Sequence, residues 1–285
     1  MTADAIEKIL QGIRIPPQPQ VLVDLHMAQL DGDLTIDHMA ELIANDVGLA
    51  GTVIKIANAT LPRKNRLSSI QQAVTRIGID MVFQIVNGLS IKGELSDEEI
   101  TNLNQFWDTA HDCAIACSAL AKETKMVDEG QAYALGLFHN CGMALMRSKF
   151  DDYFEITAKA YQADLARLID LENHEYKTNH CVVGYYTAKA WNLPLLLCQV
   201  IADHHDIPRA LATWQEDSPG RLLFLHLKAA EHLCRFYYTL GNATEDHEWA
   251  VLKDLVSSQL GIGEYDLEDI RARLIDHGSL TTISS

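Results

Sequence analysis

Residues 96–120, SDEEITNLNQFWDTAHDCAIACSAL, decide how the chain is read. Ser96 is followed three positions on by Glu99. That is the pattern of a capping box, in which a serine oxygen accepts from the third helical N–H and the acid reaches back to the cap. Beyond it, Trp107, Ala110, Ala114, Cys117 and Leu120 recur at helical spacing, so one face of a long helix is apolar. The stretch predicts a helix and the start of a second lobe at about residue 96.

Upstream, Ile6, Ile9, Leu10 and Ile13 predict an amphipathic helix. Gly12 and Ile15-Pro16-Pro17-Gln18-Pro19 end it, because consecutive prolines force an extended connector. A helix over Val21 to Ala28 stops at Asp31-Gly32, and Thr35 caps a third through Ile43. Asp46 can cap a helix to Asn58, and Ser68 and Ser69, each with a glutamine three positions on, start one that ends at Gly78. Downstream, helices are expected at about 129–147, 151–162, 164–176, 180–190, 195–204, 219–240, 244–260 and 266–276, with Ser218-Pro219 as cap and first turn and Gly261 and Gly278 as stops. No segment alternates as a strand would. The expectation is an all-α fold of two closely packed lobes, about 1–95 and from about 96, with helices over 208–285 packing on the second.

With 285 residues and 48% hydrophobic composition, the chain can bury a sizeable core. A net charge of −16 argues against nucleic acid, whose phosphates demand clustered Lys and Arg. Arg63, Lys64 and Arg66 form one small basic cluster, read as a solvated loop. No apolar run reaches bilayer length, and Asp4, Glu7 and Lys8 interrupt any leader, so a cytoplasmic location without membrane contact is expected. The six cysteines, 113, 117, 141, 181, 198 and 234, lie in apolar helical patterns and read as reduced core residues.

Several patches in order resemble the HDOD family of bacterial signalling proteins, an output domain related to HD-type metal-dependent phosphohydrolases. They are the proline-rich connector, Ile43-Ala44-Asn45-Asp46-Val47-Gly48-Leu49, Ile54-Lys55-Ile56-Ala57-Asn58-Ala59, and Ser69-Ile70 through Gly78. The second lobe adds Phe106-Trp107, Gly136-Leu137-Phe138-His139-Asn140-Cys141-Gly142, His180-Cys181-Val182-Val183-Gly184, Trp191-Asn192-Leu193-Pro194 and His204-His205-Asp206. The resemblance covers about residues 13–207.

An HD phosphohydrolase holds metal with histidines and aspartates from separate helices, and the metal activates water. Here the resemblance places Asn140 where that pattern has Asp, and Thr109 where it has the first His. His111 lies two residues on, turned about 200° round the helix. His139, His180, His204, His205 and Asp206 remain as a vestigial pocket that, with Thr109 and Asn140, satisfies hydrogen bonds, or as the only ligands for a weakly held divalent metal. Adjacent His204 and His205 are not expected to face inward together on a regular helix, and Asp112 and Asp203 are expected to be solvated. The resemblance therefore implies a non-catalytic signal-transduction module with a degenerate site, no required cofactor, and other signalling proteins as partners. A residual phosphohydrolase or nucleotide-binding protein is the alternative.

Overall fold

The computed structural model describes residues 3–13, 15, 21, 24–25, 27–28, 34–45, 47–59, 61, 65–83, 85–86, 104–162, 167–191 and 193–280. The Pro16–Pro19 connector, the Asp31-Gly32 stop, the Asp46 cap, the Ser96–Glu99 capping box, Arg63, Lys64 and Asn192 lie outside these, as do the side chains of Phe106 and Trp107.

Every regular element among the described residues is helical. Thr35 accepts from the His38 N–H and Ser69 from the Gln72 N–H, so both expected caps form. Gly78 ends the Ile70–Ile77 helix at φ +82°, a conformation that favours glycine. Asn58 closes its helix through a reciprocal pair nine residues away, accepting from the Leu67 N–H at 2.7 Å and donating to the Leu67 carbonyl at 2.9 Å. One continuous apolar core runs from Leu10 to Leu280. All six cysteines are buried and free. No helix among the described residues is long and apolar enough to cross a membrane.

Two expected helices are broken. The 129–147 run is Glu129–Phe138 and Cys141–Lys149, parted at His139-Asn140, where Asn140 leaves helical geometry at φ −101°, ψ 10°. The 219–240 run is Pro219–Leu233 and Phe236–Thr239, parted where Arg235 turns left-handed at φ 54°.

The pocket is set by close helix crossings. Asn104–Thr124 packs along Glu129–Phe138, and Cys141–Lys149 packs on His180–Ala190. At the second crossing a Cβ on Gly142 would sit 2.0 Å from the His180 carbonyl oxygen, so only glycine admits that approach. Helix Pro219–Leu233, buried nearly all round, packs on Asn104–Thr124, His247–Leu260 and Glu129–Phe138. The residues after helix Glu264–Asp276 also meet the N-terminal helices, where Arg66 donates to the His277 carbonyl and Ser279 to that of Ala59.

Candidate functional site

Helix ends build the site. His139 closes Glu129–Phe138, His180 opens His180–Ala190, and His204 closes Leu195–Asp203. His205 lies one residue past that helix end, in a turn. This corrects the expectation that His204 and His205 must diverge, because the regular helix it assumed stops at Asp203. Both are buried, with rings 4.3 Å apart.

In each of the four imidazoles Nδ1 faces an acceptor outside the cluster. His139 Nδ1 lies 2.7 Å from the Gly136 carbonyl and His204 Nδ1 2.7 Å from that of Ile201. His180 Nδ1 lies 2.8 Å from Glu172, and His205 Nδ1 2.8 Å from Glu248. A carbonyl or carboxylate can only accept, so every Nδ1 donates, and the inward Nε2 of a neutral ring carries a lone pair. His204 Nε2 sits 3.4 Å from His180 Nε2 and 3.1 Å from Asn140 Oδ1. His139 Nε2 lies 3.3 Å from Glu231 Oε1 without hydrogen-bond geometry, so both atoms are buried and unpartnered.

Carboxylates tune this set. Glu172 accepts from the Tyr153 hydroxyl and from the backbone N–H and Nδ1 of His180. Burial opposes charge on His180, but Cys181 and Glu172 outweigh it and push the pKa up to about 10. Burial also keeps the Cys181 thiol protonated, so at neutral pH the pull is that of Glu172. Burial, reinforced by His205 and Lys228, holds His204 well below the ordinary histidine range. Lys228, itself buried, bridges Glu231 and Glu248 at 2.7 Å each. Burial raises Glu231, yet Lys228 outweighs it and holds the carboxyl below the usual carboxylate range.

Of the residues expected from sequence, His139, Asn140, His180, His204 and His205 converge. Asp206 does not: it caps Ile207–Thr213 and pairs with Arg167 at 2.9 Å, so it is no ligand in this pocket. Thr109 is buried on the helix that packs along Glu129–Phe138. Asp112 and Asp203 are buried, not solvated, and Asp203 pairs with Arg209 at 3.0 Å. Sequence reading missed Cys181, Glu172, Lys228, Glu231 and Glu248. A signal existed for two of these: Lys228 and Glu231, three apart, are the charged residues in a run from Leu222 to Leu233 that is apolar apart from them and from His226 and His232. Charges within a helix that is apolar all round must be paired.

The donor set fits a divalent cation. His139, His204 and Glu231 bring ligand atoms within 4.8 Å of one another, as do His180, His204 and His205. Carboxylates behind the imidazoles are the usual outer support of metal-binding histidines.

Helices closed around buried imidazoles and carboxylates define an all-helical domain of the HD-like class. The chain belongs to the HDOD domain family, whose model matches residues 15–207. An uncharacterized protein of Treponema pallidum is 27% identical over 205 residues, 69% of this chain and 38% of that protein, so the chain spans less than half the length of this relative. An HDOD domain protein of unknown function from Geobacter sulfurreducens superposes with TM-score 0.66 at 22% identity over 98% of both chains. A Shewanella amazonensis protein described as a candidate metal-dependent phosphohydrolase gives TM-score 0.68 at 18% identity, over 98% of this chain and 96% of that one. Such identities establish the fold alone.

Proposed function

We propose that this chain is a cytoplasmic regulatory module of bacterial signal transduction that acts by contact with other signalling proteins and turns over no phosphate ester. The observation that carries the reading is burial: His139, Asn140, His180 and His204 are each at most 1% exposed. A phosphorus atom would have to reach those imidazoles to be attacked. Asn140 and Thr109, standing where the HD pattern has an acid and an imidazole, support the same reading. The module would comprise lobes meeting near residues 95–96, with the helices after 207 as an addition to the second.

A second reading, a residual phosphohydrolase, is favoured by one feature. A cavity of about 300 Å³ is lined by His205, Lys228 and Glu231, with Arg167, Phe236 and Trp249 among its walls. An ion held by His139, His204 and Glu231 would supply Lewis-acidic charge behind that cavity. The chain's own residues there fix imidazole orientation and exclude water.

Purified protein incubated with manganese, magnesium or iron is expected to hydrolyse no nucleotide, cyclic dinucleotide or phosphomonoester above the protein-free background. Turnover that disappears in His139→Ala would defeat the regulatory reading.

A further inference from the structure

We propose that His139, His204 and Glu231 form a binding site for one divalent cation of borderline softness, the zinc and cobalt class, with Glu231 supplying the anion that Asn140 lacks.

Four acceptor atoms face one another in a buried space: His139 Nε2, His204 Nε2, Glu231 Oε1 and Asn140 Oδ1. The outward bonds of both histidines fix their tautomers, so no donor hydrogen lies among the four; a donor at their edge is the Nε2–H of protonated His180, 3.4 Å from His204 Nε2. Acceptors buried against acceptors are costly unless a cation sits between them. Protons would need two separate repairs, a second proton on His139 and reversal of the Asn140 amide, whereas one cation answers both.

Geometry and charge agree. Two ligands about 2.0–2.1 Å from a tetrahedral ion lie about 3.4 Å apart, and His139 Nε2 to Glu231 Oε1 is 3.3 Å. Around the cluster three carboxylates, Glu172, Glu231 and Glu248, face the Lys228 ammonium and the protonated His180 imidazole, which leaves one negative charge. Two imidazoles and one carboxylate suit a borderline ion, whereas magnesium demands oxygen. Glu231 lies beyond the segment matched by the family model, so the ion would pin the added helix Pro219–Leu233 to the histidines. The inference is independent of the regulatory reading, because metal content and turnover are measured separately.

The test is titration of metal-stripped protein with zinc, cobalt and magnesium chlorides, read by calorimetry, thermal melting and, for cobalt, visible absorption. One equivalent of zinc or cobalt is expected to bind, raising Tm by about 5–10 °C, and cobalt to give a tetrahedral spectrum, while magnesium does neither. Glu231→Gln is expected to weaken zinc binding at least about 100-fold, and Asp206→Asn to leave it unchanged. Should E231Q not fold, Glu231→Asp and His139→Ala are read in the same way. Absence of zinc and cobalt binding by the wild-type chain, equal affinity for magnesium, or zinc affinity unmoved by loss of Glu231 or His139 each overturns the proposal.

Discussion

Gly142→Ala is expected to destabilise the protein by about 3 kcal/mol and to lower Tm by roughly 6–12 °C. The new Cβ would lie 2.0 Å from the His180 carbonyl oxygen and 2.8 Å from the Gly184 nitrogen. Both are backbone atoms, so no rotamer relieves the overlap, and helices Cys141–Lys149 and His180–Ala190 must separate. That separation would draw His180 away from His204, making the pocket part of the damage. Gly51→Ala is the control, since nothing lies within 4 Å of its added methyl in the interior of helix Val47–Asn58. It should stabilise by about 0.5–1 kcal/mol through higher helix propensity. Urea unfolding followed by circular dichroism checks both, and equal midpoints for the two variants would show that the crossing is looser than described.

Lys228→Met should cost a comparable amount, about 3–5 kcal/mol. The ammonium is 2% exposed and holds Glu231 and Glu248 at once, so its loss leaves two carboxylates facing each other beside His205. The same network has a pH signature. Burial works against the Glu231 carboxylate, but Lys228 holds its pKa in the fold below the unfolded value of about 4.3. Its contribution to stability is therefore fully present above pH 4.3 and is lost as the pH falls through the lower folded value. The wild-type chain should lose stability steeply over that acid range, and Lys228→Met should lose less there because the carboxylate is no longer held. A K228M variant within 1 kcal/mol of wild type, with the same acid profile, would mean that the ammonium does not hold these acids.

The helices were legible because their ends are written in side chains: Thr35, Ser69 and Ser218 cap, while Gly78, Gly261 and Gly278 stop. The break at His139-Asn140 was not, because Leu137, Phe138 and Cys141 carry apolar periodicity straight across it and Asn140 makes no side-chain cap bond. The pocket's histidines were found through their resemblance to a known pattern. Its carboxylates were hidden, since Glu172 and Glu248 come from helices with nothing local to distinguish them from surface acids. Asp206 misled for the opposite reason: adjacency to His204-His205 suggested a shared site, yet the helix it caps turns it toward Arg167. Lys228 and Glu231 were readable in principle, as charges set in an apolar helix.

The account depends on the imidazoles turning Nδ1 outward and Nε2 inward, and long-range nitrogen–proton NMR of histidine-labelled protein at neutral pH reads this directly. It should find Nδ1 protonated in His139, His204 and His205, bare Nε2 atoms in His204 and His205, and Nε2 resonances of His139 and His204 that move when zinc is added. A neutral Nε2–H tautomer at His139 or His204 would contradict it.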